Sequence, residues 1–189
     1  MLMTEAVAIN DRQVDPRLTE FAQLPHISGE NMEGITCRLL PYRTAEEDGV
    51  KSSNYLFAPG VILYSKIRPY LRKAVFVDFR GVCSADIYPV KIISEELEPR
   101  FVMWSLVAGP FTEYANTLSG RTRMPKLNRK QFFAFEMAYP DKTEQQRIVE
   151  YLDGLAGQVT ALTQLQSETA AELDALLPSI LDRAFKGEL

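Results

Sequence analysis

The segment YPDKTEQQRIVEYLDGLAGQVTALTQLQ, Tyr139 to Gln166, sets the architecture of this chain. Pro140 closes the segment before it. Thr143 and Gln146, three residues apart, form a capping-box pattern, and Glu144 suits the positive end of a helix. From there Ile148, Leu152, Leu155, Val159 and Leu162 recur at spacings of four and three. The register continues through Gln166, Thr169, Leu173, Leu176 and Ile180. That is a heptad seam with one polar layer, Gln166 and Thr169, at its middle. A helix over 144–177 would be about 50 Å long at 1.5 Å per residue. Much of it is expected to run past a globule made of residues 1–142. Pro178 is expected to kink the helix or start a new one, and Gly187 resembles a C-cap. No other segment offers a comparable seam, so a helix from elsewhere is its expected partner, the alternative being that the seam folds back onto its own globule.

Working outward, residues 1–142 are expected to form a mixed α+β domain and residues 143–189 a helical spacer. The first 18 or so residues are polar and weakly patterned, an expected arm. ITCRLLPYR (Ile35–Arg43) reads as a strand and TAEEDG as a loop. Pro59-Gly60 makes a turn, Val61–Ser65 an apolar strand, and Ala74–Phe79 another strand ended by Arg80-Gly81. ADIYPVKII alternates like a strand, and Pro89 argues for an edge or a bulge. Pro99 is placed to open a helix with Phe101, Trp104, Leu106, Val107 and Ala108 on its apolar face. Gly109-Pro110 breaks that helix, and FTEYANTL resumes it. Asn128 can cap a short turn with Gln131 at the reciprocal position. FFAFEMAY alternates, with Phe133, Phe135, Met137 and Tyr139 on one face, and is expected to be the last strand.

The composition, 46% hydrophobic over 189 residues, is that of an ordinary packed core. No apolar run approaches the roughly 20 residues that span a bilayer. The N-terminus lacks the basic and apolar regions of a signal peptide. Cys37 and Cys83 show no metal or redox spacing and read as buried thiols in a reducing cytoplasm. His26 is the one histidine, which disfavours His-based zinc or triad chemistry.

The net charge of −4 hides its distribution. Residues 1–50 hold 4 basic and 9 acidic side chains, residues 51–130 hold 13 and 6, and residues 131–189 hold 4 and 10. A basic middle in an acidic chain is the local footprint of a polyanion partner. Two clusters make it up. In YSKIRPYLRK, Lys66, Arg68, Arg72 and Lys73 interleave with Tyr64 and Tyr70. In SGRTRMPKLNRK, Arg121, Arg123, Lys126, Arg129 and Lys130 stand beside Ser119 and Asn128. Arginine and lysine contact phosphates, arginine pairs with guanine, and asparagine pairs with adenine in the major groove. The bland alternative for any one of them is a solvated surface charge.

Enzymatic signals are absent from the sequence. AYPD does not match an Asn-Pro-Pro-Tyr methyltransferase motif. No Gly-rich loop follows a strand, and Gly154 and Gly157 fall within the helix. Pro140-Asp141 has no following Glu-x-Lys, so a nuclease core is not expected. Asp78 and Asp86, near Cys83, read as structural.

FAPGVILYSKIRPYLRKAVF, GVCSADIYPVK, SGRTRMPKLNRKQF, YPDKTEQQRIVEYLD and LLPSILDRAFKGEL together resemble the specificity (S) subunit of type I restriction–modification enzymes. The resemblance runs from about Leu24 to Leu189. It implies a non-catalytic subunit whose target-recognition domain reads double-stranded DNA. It also implies long helices that act as a ruler and dock methyltransferase subunits. The partner methyltransferase would use S-adenosylmethionine to methylate adenine N6, this chain holding no cofactor, and a translocating restriction subunit can join. Such subunits carry two recognition domains and two helical regions, whereas this chain has one of each and so looks like a half-length S subunit or a fragment of a full one. A second copy is therefore the expected partner of the seam, in an antiparallel coiled-coil homodimer that reads a bipartite palindrome. The alternative is a helix-mediated adaptor that does not read DNA. The target sequence is not legible, because part of the readout can be DNA shape.

Overall fold

A computed structural model describes residues 1–119 and 124–187. In chain order its elements are α1 (Met3–Ala6), β1 (Val7–Ile9), β2 (Gln13–Val14), α2 (Thr19–Ala22), β3 (Pro25–Ile27) and β4 (Arg43–Thr44). There follow β5 (Asn54–Phe57), β6 (Val61–Ser65), β7 (Ala74–Val77), β8 (Gly81–Cys83) and β9 (Ile87–Ile92). The helices α3 (Pro99–Val107), α4 (Gly109–Leu118), α5 (Arg129–Phe133) and α6 (Lys142–Phe185) complete the chain. It divides into two units, Met1–Val149 and Glu150–Leu189. The mixed α+β class expected from the sequence is what is observed, with the long helix at the C-terminal end.

Two sheets build the first unit. One is antiparallel in the order β1-β9-β6-β7, and the other runs β2-β5-β8-β3-β4 with β3 and β8 parallel. β6 is buried at all five positions because both of its faces are covered. Ile62 and Tyr64 face the helices, where Tyr64, Phe111, Phe132 and Phe135 form edge-to-face and tilted ring pairs. Val61 and Leu63 face the second sheet, packing with Tyr55, Phe57, Ile27 and Cys83. A smaller cluster of Val14, Phe21, Ala45, Leu56 and Val82 covers the outer face of that sheet. Gly81 is fixed by close approach: a Cβ there would lie 2.5 Å from the Phe57 ring and 2.7 Å from the Pro25 carbonyl. Gly60, at φ +78°, makes the left-handed turn before β6.

Several expectations are corrected. The first 18 residues are not an arm. Met3, Ala6 and Val7 are fully or almost fully buried, and β1 pairs with β9. The apolar signal there is too short to stand out, and burial comes from distant partners. Ile35–Arg43 is mostly irregular rather than a strand, because Ile35 and Cys37 adopt left-handed backbone at φ 73° and 56°. β7 ends at Val77, and Gly81 opens β8 instead of closing a strand. Pro89 lies in an inner strand, not at an edge. The β1 ladder ends at the Ile9–Val90 pair, so the missing Pro89 N–H falls just beyond it, while its carbonyl accepts from Asn10 N–H.

FFAFEMAY is not a sheet strand. Its first two residues close α5, and the rest runs along the N-terminus through one bridge, Glu136 to Leu2. Met3 N–H donates to Phe135 O and Met137 N–H to Met1 O. The long helix begins earlier than Thr143, since Asp141 Oδ1 accepts the Glu144 N–H at 3.0 Å. It continues without interruption through Pro178, and Gly187 follows at φ 69°. The expected features that hold are Pro99 in the first turn of α3, the break at Gly109, and the Asn128–Gln131 capping box. Gln145, at 0% exposure, ties the start of α6 to α3. Its oxygen accepts Glu98 N–H at 2.9 Å, and its amide donates to Glu96 O and Pro140 O, each at 2.9 Å.

In the second unit, Leu155, Val159, Leu162, Leu173, Leu176 and Ile180 are exposed, as are Gln166 and Thr169. Leu165, Leu177 and Leu181, outside the two-helix seam, are exposed too. Ile148 packs against the helical core of the first unit, and Leu152 is half-buried. No helix among the described residues is long and apolar enough to cross a membrane.

Candidate nucleic-acid interface

The Lys66–Lys73 connection leaves β6 and returns as β7 through a single 3-10 turn at Pro69–Leu71. Arg68 and Arg72 flank that turn in left-handed backbone, at φ 49° and 53°. The Ile35 N–H donates to Arg72 O, so two loops of non-glycine left-handed residues touch. Backbone of this kind is costly for branched residues and needs strong local support.

Here the two basic clusters, about 55 residues apart in sequence, become one place. Arg68 N–H donates to Pro125 O at 2.8 Å and Leu127 N–H to Lys66 O at 2.9 Å, with Ile67 bridging Lys126. The folded chain then sorts the cations. Arg72 Nε donates to Val107 O at 2.5 Å, closing the negative end of α3. Lys73 Nζ donates to Gly29 O at 2.5 Å. Both are half-buried and engaged with protein carbonyls. Asn128 is likewise engaged, its side chain accepting Gln131 N–H at 2.9 Å. Arg68 and Lys130 are exposed. Arg121 and Arg123 lie outside the described residues.

Lys66, Lys126 and Arg129 converge around two tyrosines from different sheets. The Lys66 ammonium lies 4.9 Å from the Tyr88 ring centre and 5.8 Å from that of Tyr55. The Arg129 guanidinium lies 6.0 Å from the Tyr55 ring. Lys126 is 3.5 Å from Asp86, and Arg129 is 3.4 Å from Asp11. Both ion pairs are solvent-exposed and weak. Burial, and then the charge of Lys126, hold the Lys66 ammonium below the ordinary lysine range. Burial pushes the Tyr88 phenol up to about 12, and its hydroxyl donates to Leu127 O at 3.0 Å.

Tyr55, Tyr88, Asp11 and Asp86 complete the cluster, and the sequence did not mark them for it. The tyrosines sit in ordinary apolar strands, so local pattern carries no sign of their role. Tyr64, interleaved with the first basic run, lies in the aromatic core at 1% exposure; Tyr70 is exposed. Beside the cluster an open cleft of about 620 Å³ is lined by His26, Ser65, Arg68 and Lys73, among others. His26 Nδ1 and Asp48 Oδ2 are 2.7 Å apart at its wall.

Residues 24–172 match the type I restriction modification DNA specificity domain. The specificity subunit of the type I restriction enzyme EcoDI of Escherichia coli is 35% identical over 170 residues, 90% of this chain and 38% of that protein. The HsdS subunit from Thermoanaerobacter tengcongensis superposes with a TM-score of 0.60 at 25% identity, over 100% of this chain and 45% of that one. A chain from a study of complex assembly and conformational transition in the type I R-M system gives a TM-score of 0.70 at 24% identity, which shows a shared fold. That match covers 100% of this chain and 46% of that one. This chain thus spans less than half the length of the relatives it matches. With the specificity-domain match covering most of its length, the chain belongs to the type I restriction–modification DNA specificity domain family.

Proposed function

We propose that this chain is a non-catalytic DNA-recognition subunit of a type I restriction–modification complex. Residues 1–142 would read duplex DNA and residues 143–189 would hold the assembly together. The observation that carries this reading is the convergence of Lys66, Lys126 and Arg129, with exposed Arg68 and Lys130 nearby, on a domain of the specificity family. A positive surface path neutralises phosphates and sets register, while base edges and shape supply sequence. A partner methyltransferase subunit would bring S-adenosylmethionine and the adenine chemistry, and a restriction subunit can join. The cytoplasm, where DNA is available, is the matching compartment.

The exposed seam supports pairing through α6 with a second copy. In an antiparallel pair, Leu152, Leu155, Val159 and Leu162 of one helix meet Leu173, Leu176 and Ile180 of the other. Gln166 and Thr169 then fall near the two-fold axis, where a polar layer fixes register. Light scattering tests the pairing: Leu155→Asp with Leu173→Asp should convert a dimer to a monomer that retains a folded first unit. A wild-type monomer at tens of micromolar overturns it. Mapping methylated adenines in DNA exposed to this chain and its methyltransferase partner tests recognition. One bipartite site is the expected result. Methylation independent of this chain refutes the reading and favours the adaptor.

A further inference from the structure

We propose that Lys66, Lys126 and Arg129 form a receptor for a single phosphate, occupied by one backbone phosphate of duplex DNA. The assignment rests on the DNA-recognition reading and names the subsite within it. Lys66 carries the inference. The residue is 7% exposed, and burial weighs on its ammonium more than any neighbouring charge does, although Asp86 attracts it. A buried charge of this kind is expensive unless something compensates it. The rings of Tyr55 and Tyr88 compensate in part. The two other cations at the recess make matters worse, because Lys126 repels Lys66, and so does Arg129. Asp86 attracts Lys66 but is shared with Lys126, 3.5 Å from it, and Asp11 pairs with Arg129 at 3.4 Å.

An anion between the three cations offsets the desolvation of Lys66 and the repulsion together. A phosphodiester fits best. It carries a full negative charge and offers several acceptor oxygens to donors arriving from three directions. A base edge is neutral and would leave the repulsion in place. The two outer cations are partly exposed, at 53% for the Lys126 side chain and 37% for that of Arg129. They can therefore exchange a surface carboxylate for a strand that passes over the recess. Arg68 and Lys130, both exposed and close in sequence to these cations, offer further charge for such a strand.

The test measures binding of a fluorescein-labelled, random-sequence 24-base-pair duplex to the purified full chain across a salt series. Loss of one phosphate contact should lower the magnitude of the log K against log salt slope by about 0.9. Lys66→Met and Lys126→Met should each show this loss, and Lys142→Met should leave the slope unchanged. A folded Lys66→Met variant with the wild-type slope overturns the proposal. If that variant does not fold, Lys126→Met decides, and an unchanged slope there overturns it equally. Wild-type protein that fails to bind any duplex refutes the DNA reading instead. Thermal unfolding in inorganic phosphate at fixed ionic strength then decides the receptor separately. A rise in Tm confined to wild type supports an anion site, and equal rises in wild type and Lys66→Met overturn it.

Discussion

Replacing Gln145 with Ala should destabilise the first unit more than any surface substitution on α6. The amide is fully buried and makes three hydrogen bonds, to Glu98 N–H, Glu96 O and Pro140 O. Each such bond contributes about 1 kcal/mol net, and alanine leaves all three backbone partners without it. The expected loss is therefore about 3 kcal/mol. For a chain of this size that corresponds to a fall in Tm of roughly 6–12 °C. Thermal unfolding followed by circular dichroism, with urea unfolding as a second measure, reads the change. Gln145→Glu sharpens the test. A carboxylate there can still accept from Glu98 N–H but faces two carbonyl oxygens, so its pKa should lie above the usual value. The folded state then prefers the protonated form, and the deficit against wild type should narrow as the pH falls. A Gln145→Ala loss below about 0.5 kcal/mol would refute the claim that this amide anchors the start of α6.

Gly81→Ala should cost about 1–3 kcal/mol, because the added Cβ would press on Phe57 and the Pro25 carbonyl; a neutral result in urea unfolding would show that β8 can shift. Asn128→Ala should remove about 1 kcal/mol by breaking the reciprocal cap of α5, measured the same way, with Asn128→Asp retaining most of it. Burial holds the Cys83 thiol above its ordinary range, so the unfolded chain ionises first and stability should fall as the pH rises above about 8.5. Cys83→Ala should flatten that alkaline decline. Alkylation of native protein at pH 8 should spare Cys83, and rapid labelling there would contradict its burial.

The sequence by itself determined the features that neighbouring residues settle among themselves. The period of α6, the Pro99 start of α3, the break at Gly109-Pro110 and the Asn128–Gln131 box are all decided within a turn or two of chain. The turn at Pro59-Gly60 and the apolar strand Val61–Ser65 belong with them. The motifs from Phe57 to the end carried the family resemblance for the same reason, since they are contiguous. Tertiary structure alone decided which strands pair. A strand finds its hydrogen-bond partners at long range, so β1 was hidden in an apolar segment too short to stand out and FFAFEMAY alternated without joining a sheet. The same holds for the basic residues. Arg72 and Lys73 look like Lys66 and Lys126 in sequence, but the fold brings carbonyls of Val107 and Gly29 to the first two. It sets the Lys66 ammonium over two tyrosine rings, largely desolvated. A side chain's charge is written in the sequence, whereas its desolvation and its partner are set by residues distant in the chain, and those two quantities decide whether the charge holds the fold together or awaits a ligand.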